Sequence, residues 1–366
     1  MKNRFLVLAA GVGALVAAGV FSQTVREPGG DLTAGAGNAG KGSECPEQPP
    51  REFSHTPYYT GQLFDAHLHL PSASSIVSAV SAKMGKSTPA WDKNLSYDYL
   101  ICMFASERTR GAFGFHLLTK YSLSAEVGAA KALDKKKSGV AHFLMPTFIN
   151  SAINPSVESV RKILEKNPAL FKGMGEVKFF DGTSPDSPKA HPYYQLAEKY
   201  GLIVMMHPFD RHKDAVEKLV KQYPKVTFLF HGIDSDGEVS PDGKGAGDNL
   251  PWVLDLLASY PNVYYSMDSA PMWGPLGSDP ADRNTGFAQL RKDFDSRLER
   301  LLRRWKGPIE AHPDRFLSGT DRWHPWHYDR DASALIIEFK RAFIGNLAPE
   351  VREKYAYKNA ERLLNE

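Results

Sequence analysis

From about Gly61 onward, short apolar runs recur, each closing on polar residues and each followed by a stretch with helical periodicity. The runs are Leu63–Leu70, Tyr97–Phe104, Ala141–Phe148, Gly173–Phe180, Leu202–His207, Val226–His231, Val263–Met267 and Phe316–Ser318. Apolar runs of this length, bounded by turn residues, read as strands. Between them, Val157–Glu165, Tyr193–Tyr200, Ala215–Tyr223, Pro251–Tyr260, Gly286–Trp305 and Ala332–Phe343 read as helices. Strands alternating with helices predict a parallel sheet, because parallel neighbours need a crossover connection. Eight such units in roughly 300 residues predict a closed (β/α)8 TIM barrel. No sequence repeat accompanies the pattern, so the repetition is architectural.

The amino terminus has a different pattern. Lys2 and Arg4 precede an apolar or small-residue stretch from Phe5 to Phe21, followed by Ser22, Gln23 and Thr24, which is the order of a secretory signal. Val20 and Ser22 suit cleavage after Ser22, yet the stretch is also long enough to stay as a single membrane anchor. Residues 1–22 therefore read as a signal peptide or N-terminal anchor, and the protein is expected to be exported (periplasmic or extracellular) or anchored. Residues 23–60 read as a flexible linker, since Gly, Ala, Asn, Pro and charge dominate them. The barrel domain is expected over 61–366. Glu44 stands where lipid attachment at Cys45 would need a small residue. A bridge between Cys45 and Cys102, the two cysteines, has no support in sequence beyond the even count.

Composition narrows the classes. With 366 residues, 42% of them apolar, the chain can bury a core without staples, in one large domain or two modest ones. A net charge of +3 is too slight for a nucleic-acid partner, and the dense basic run Lys135–Lys137 is balanced by Asp134. No periodic glycine, heptad or second long apolar run appears, which excludes collagen, coiled-coil and multispan membrane classes. Contact with a membrane is expected only through an uncleaved amino terminus.

The chemistry sits at the ends of the runs. Period-two alternation would point Asp65, His67 and His69 to one face of the first strand, and Glu176 and Lys178 to one face of the fourth. The fifth run ends in His207, the sixth in His231 and the eighth, through Ser318-Gly319-Thr320, in Asp321. A lone histidine beside an apolar run is more often structural than a ligand. Five strands ending in metal-competent or proton-transfer groups would converge on the carboxyl-terminal mouth, where barrel active sites lie.

This ordered set resembles the amidohydrolase superfamily. Phe64-Asp65-Ala66-His67-Leu68-His69, His207-Pro208, Ser318-Gly319-Thr320-Asp321 and Tyr357-Lys358-Asn359-Ala360-Glu361-Arg362-Leu363 resemble more narrowly the amidohydrolase-related (type 2) family, whose members often close with an asparagine–alanine helix beneath the barrel. The resemblance implies that His67, His69, His207 and Asp321 bind a divalent metal, zinc by preference, with one ion favoured over two. It implies Asp321 as general base to a metal-activated water, and His231 as a stabiliser of developing charge or a ligand of a second ion. Glu176 or Lys178 would bridge two ions if two are present, and Lys178 could instead bind an anionic substrate. Asp65 is expected to orient a histidine. The family often forms homodimers.

Other mouth residues bear on the substrate. Arg108 and Arg110 after the second run, Arg211 after the fifth and Arg322 after Asp321 suggest an anionic small molecule. Phe113, Phe115, Trp273, Trp323 and Trp326 could wall a pocket for a cyclic one or simply pack long loops; His324 and His327 could enter the site. Lys178, Arg211, Arg322 and Trp323 are the substrate-binding candidates, and the segment through Pro271, Pro275 and Pro280 could form part of a lid. A metal-dependent hydrolase of a carboxylic ester, lactone or amide is the expected function. The alternatives are a metal-dependent non-oxidative decarboxylase of the same family and an exported binding protein that has lost catalysis.

Overall fold

Eight strands hydrogen-bond in chain order, every neighbouring pair parallel: β1 (Leu63–His69), β2 (Thr109–Leu118), β3 (Val140–Pro146), β4 (Phe171–Val177), β5 (Ile203–Met206), β6 (Phe228–Phe230), β7 (Val263–Met267) and β8 (Phe316–Ser318). The computed structural model describes residues 45, 47–74, 89–146, 148, 153–179, 182–232, 249–268 and 283–365. The expected signal segment, and the loop through Pro271, Trp273, Pro275 and Pro280, lie outside them. The barrel closes where β8 runs on to meet β1: Leu68 and Arg322 form a parallel bridge, and Asp321 N–H donates to the His67 carbonyl at 2.8 Å.

The crossover helices are α1 (Tyr97–Glu107), α2 (Leu123–Lys135), α3 (Val157–Lys166), α4 (His191–Tyr200), α5 (Lys213–Gln222), α6 (Leu250–Ser259), α7 (Arg283–Ala311) and α8 (Arg330–Gly345). Inside the barrel, Phe64, Phe113, Phe115, Phe143, Met205, Leu229 and Leu317 form one apolar plug. A short helix α9 (Pro349–Glu353) leads to α10 (Asn359–Asn365), whose Ala360 and Leu363 seal that plug from below. Asn359 anchors the seal by donating to the carbonyls of Pro313 and Phe316, both at 2.8 Å. The expected asparagine–alanine closing helix is therefore present. A larger apolar layer joins the outer strand faces to the helices, and each fully buried aliphatic side chain in it contributes about 1.5–3 kcal/mol.

One run has a different identity. Tyr97–Phe104 is helix rather than strand: Ser96 caps it by accepting from Tyr99 N–H, and Leu100, Met103, Phe104 and Glu107 are buried at helical spacing. The chain reverses at Arg108, in left-handed conformation, and the second strand follows as Thr109–Leu118. Consequently Arg108 and Arg110 stand at the amino-terminal end of β2, away from the mouth. Phe113 and Phe115 belong to the interior plug rather than to a mouth loop.

The segment expected to be linker up to residue 60 is packed where it is described. Phe53 stacks on Phe294 at 4.1 Å, the N–H groups of Glu52 and Phe53 donate to Glu338, and Tyr59 N–H donates to the Arg341 carbonyl. A disulfide joins Cys45 to Cys102 of α1. Aromatic anchors and satisfied backbone donors turn this stretch into a strap across α7 and α8. Among the described residues, no helix is long and apolar enough to cross a membrane.

Candidate metal centre

Strict alternation cannot build this site, because two of its strands break register. On β1, Asp65 pairs with Ala112 and Leu68 with Gly114, so β1 carries one more residue than β2 over that span. Such a bulge shifts the phase of the side chains beyond it. Phe64 and Ala66 reach the interior plug and Leu68 packs under α1. His67 and His69 enter the mouth, whereas Asp65 turns out toward β8. There its carboxylate accepts from the N–H groups of Thr320 (2.7 Å) and His67 (3.2 Å), so it clamps the β1–β8 seam instead of orienting an imidazole ring.

On β4, Met174 pairs with Val204 and Val177 with Met206, again one residue too many. Met174 and Val177 both pack in the outer layer, and the extra residue turns Glu176 inward. Gly175 makes this feasible: its φ is 142°, and a Cβ there would lie 2.4 Å from the Met205 carbonyl oxygen. Gly319 has a related role on β8, since a Cβ would come within 2.7 Å of His67 Cβ. The small residue lets His67 sit against the strand that delivers Asp321.

The side chains form two groups. In the first, His67 Nε2 lies 3.1 Å from His69 Nε2, and Asp321 Oδ1 lies 3.3 Å from each. A tetrahedral zinc with bonds of about 2.0–2.1 Å sets its ligand atoms about 3.3 Å apart, so this triangle fits such an ion. In the second, Glu176 Oε1 is 3.0 Å from His207 Nδ1 and 2.8 Å from His231 Nε2. Glu176 joins the groups, because its other oxygen, Oε2, is 3.4 Å from His69 Nε2. The four ligands expected around one ion are thus divided: His207 stands with Glu176 and His231, apart from His67, His69 and Asp321. Imidazole and carboxylate donors suit zinc and related divalent ions.

Asp268, one residue past β7, was not anticipated. Its Oδ2 accepts from His67 Nδ1 at 3.2 Å and from His231 Nδ1 at 2.9 Å. The sequence signal was slight: the inward phase of Tyr264 and Ser266, carried one step beyond the apolar run, falls on Asp268.

Electrostatics follow from this packing. Burial alone would raise the Glu176 carboxyl, but the Lys178 ammonium and the His231 ring hold it well below the usual carboxylate range. Burial, reinforced by Lys178, lowers His207 to about 4. His231 goes the other way: burial is outweighed by Glu176 and Asp268, which raise it to about 10. With Nδ1 on Asp268, Nε2 on Glu176 and 1% exposure, His231 has both ring nitrogens engaged inside the protein. That arrangement speaks against the expected contact with a substrate's developing charge.

The substrate-binding candidates separate. Lys178 Nζ lies 3.2 Å from His207 Nδ1 and 3.7 Å from Glu176, at the site itself. Arg211, on a turn after β5, covers the Phe209 ring at 4.5 Å, and that ring adjoins His207. Trp323 is exposed and packs against His324, its ring tilted by 34°. Arg322, by contrast, is fully buried and grips Glu107 through two hydrogen bonds of 2.8 and 3.2 Å, with Ser333 at 3.2 Å. It faces α1 and α8 and cannot meet a substrate. His327 is also buried, its Nδ1 accepting from the N–H groups of Trp323 and His324, so it pins the turn after Asp321. Behind β8, buried Lys340 donates to the Gly319 carbonyl, and burial lowers its pKa to about 8.

A family model described as amidohydrolase matches residues 137–365. The chain belongs to the amidohydrolase family. Solved structures share its barrel at low identity. An amidohydrolase of Burkholderia multivorans with bound zinc is 14% identical, with a TM-score of 0.54 over 83% of this chain and 99% of that one. A candidate 2-pyrone-4,6-dicarboxylic acid hydrolase of Pseudomonas putida is 13% identical, with a TM-score of 0.51 over 83% and 97%. A counterpart from Acinetobacter baumannii with citric acid bound is 9% identical, with a TM-score of 0.51 over 83% and 100%. Comparison of the sequence with curated proteins returned no match. The amidohydrolase family is metal-dependent, and the histidine–carboxylate groups at this mouth have the spacing to hold a metal ion.

Proposed function

We propose that this amidohydrolase-family protein is a metal-dependent hydrolase that cleaves a carboxylic ester, lactone or amide in a small anionic or cyclic substrate. The observation that carries the reading is the triangle of His67 Nε2, His69 Nε2 and Asp321 Oδ1, closed at 3.1–3.3 Å on the open side of the barrel. The second group, His207, His231 and Glu176, has the donors for another ion. In place of the single ion expected from sequence, we infer that the two donor groups, which share Glu176, would hold a pair of zinc-class ions. A bound divalent ion supplies Lewis acidity, polarising a carbonyl oxygen and bringing the pKa of bound water toward neutrality.

The chain's own groups divide the remaining work. Of the three carboxylates, the Asp321 side chain is 17% exposed, against 6% for Glu176 and 2% for Asp268. Asp321 is therefore the one that can take a proton from an attacking water and return it to the leaving group. Glu176 and Asp268 stay ionised in the floor of the site and hold the histidines. Lys178, partly exposed beside His207, offers a cation for an anionic substrate group, and Arg211 a second at the rim. Trp323 gives an apolar wall to a ring. We further propose that the protein works in an oxidising, exported compartment, a reading supported by the Cys45–Cys102 bridge.

Metal analysis of the purified protein beside His207→Ala tests the site: two zinc-class ions per chain are expected, falling to one in the variant. A wild-type protein without transition metal would overturn the reading. Turnover of carboxylated lactones and esters in oxygen-18 water tests the chemistry. The label should enter the product carboxylate, and release of carbon dioxide with no label in the remaining organic product would assign decarboxylation instead.

A further inference from the structure

We propose that Asp268 is a positioning residue that fixes the proton of two imidazoles at once, committing the Nε2 atoms of His67 and His231 to metal binding and tying the two donor groups together. The inference deepens the metal-dependent reading and rests on it only for the identity of what the Nε2 atoms bind.

The argument starts from hydrogen-bond inventory. An ionised carboxylate oxygen only accepts, so a ring nitrogen held against it must carry hydrogen. Asp268 Oδ2 is 3.2 Å from His67 Nδ1 and 2.9 Å from His231 Nδ1, and both nitrogens are therefore N–H. The same inventory puts hydrogen on His231 Nε2 while it faces Glu176 at 2.8 Å, so that is the proton a bound ion would displace; with Nδ1–H kept by Asp268, the lone pair left for the ion is on Nε2. His67 Nε2 belongs to the triangle with His69 and Asp321, and His231 Nε2 to the group with Glu176. One carboxylate oxygen therefore aims one ligand atom into each group.

The placement is enforced. Asp268 is 4% exposed, His67 0% and His231 1%, so water does not compete for these N–H groups. The rings of His67 and His231 meet edge to face with centroids 4.1 Å apart, so neither can rotate without striking the other. Each is thus held by a shared acceptor and by its neighbour's ring.

Asp268→Ala is the informative change, because it removes the one oxygen from which both rings are held. Asp268→Asn is its conservative partner: an amide oxygen standing where Oδ2 stands has two lone pairs and can still accept from both Nδ1–H groups. Without that acceptor nothing keeps the hydrogen on Nδ1, and a ring that carries it on Nε2 ceases to be a ligand through that atom. Nitrogen-15 spectra of histidine-labelled protein with bound Zn²⁺ read this directly. In the wild type and in Asp268→Asn, both His67 and His231 should show protonated Nδ1, and in Asp268→Ala at least one of them should lose that signal. Zinc affinity in Asp268→Ala should fall by about 10–100-fold, the loss typical of partners that orient a ligand. A residue that served packing alone would lower the melting temperature and leave both tautomers and affinity unchanged.

An unprotonated Nδ1 on either ring of the wild type would overturn the positioning role without any variant. So would Asp268→Ala with both Nδ1–H signals retained and zinc affinity within twofold. A wild type that binds no zinc while both rings keep Nδ1–H would overturn the metal reading and leave the tautomer assignment standing.

Discussion

Two pairs of histidines lie almost equally close, and they have opposite roles. His67 and His69 bring two Nε2 atoms to 3.1 Å at the mouth; His116 and His142, on β2 and β3, bring Nε2 and Nδ1 to 3.0 Å on the outer face of the barrel. The outer pair forms a relay. Glu126 of α2 lies 3.4 Å from His116 Nδ1, and its other oxygen accepts from Ser72 Oγ and Ala73 N–H, so the relay moors the loop that follows β1. The mouth pair faces Asp321 and Glu176 on its Nε2 side, and Asp268 holds the far side of His67. Proximity is shared. What separates the pairs is whether lone pairs converge with anionic oxygens on one point, or follow one another in a line.

The ladders differ in the same way. β2 and β3 pair without interruption from Ala112–Val140 to Leu118–Pro146, and their histidines fall on the outward phase that alternation dictates. β1 and β4 both carry a register shift, and both deliver ligand candidates to the mouth.

Four outcomes would break or sharpen this comparison. His67→Ala should have the largest effect, lowering kcat/KM by about a thousandfold or more, because the several kcal/mol a metal supplies would be lost. Elemental analysis should show the matching loss of zinc. Arg322→Met comes next: it leaves the Glu107 carboxylate buried without its partner, and should cost about 3–5 kcal/mol in denaturant unfolding. Stability unchanged in that variant would mean that the β1–β8 seam does not depend on the ion pair. His142→Ala should cost only about 1–3 kcal/mol, by leaving a buried His116 nitrogen unsatisfied. Its zinc content should equal that of the wild type, and lost zinc would erase the distinction between the pairs.

The smallest effect is a pH profile of the metal-free protein. His231 is raised to about 10 by Glu176 and Asp268 despite burial, so its contribution to stability is complete below about 6.5 and disappears as pH climbs toward 10. His207, lowered to about 4 by burial and Lys178, acts in the opposite sense: the unfolded chain binds the proton first, and stability falls as pH drops from about 6.5 to 4. Burial of His142, lowered to about 3, adds to that acid limb. Thermal melts should therefore peak near pH 6.5, and His142→Ala should flatten only the acid side.

Much of this was legible in the chain. Seven of the eight strand positions, the closing Asn359–Ala360 helix and the gathering of His67, His69, Glu176, Lys178, His207, His231 and Asp321 at the mouth follow from apolar runs and their polar endings. Where sequence reasoning failed, a longer-range partner had decided the outcome. Tyr97–Phe104 is apolar enough for a strand, but the Ser96 cap and the burial of Glu107 against Arg322 make it a helix. Arg322 beside Asp321 reads as a substrate arginine until α1 is in place to claim it. Asp65 seems to share a face with His67 until the bulge separates them, and Asp268 lies outside the apolar run that marks its strand. Each depends on contacts between segments far apart in the chain, which local periodicity does not record.

The seam between β1 and β8 has a consequence for how the molecule comes into being. Asp65 and Thr320, which clamp it, are 255 positions apart in sequence, and the first donor group straddles the same junction. Contacts of such separation form late, after the intervening loops have closed. Until the final strand docks on the first, His67 and His69 have no Asp321 opposite them. A ribosome-bound or truncated chain ending before β8 therefore carries two of the three donors of that triangle, and capture of an ion there would report that the ring of strands has been completed.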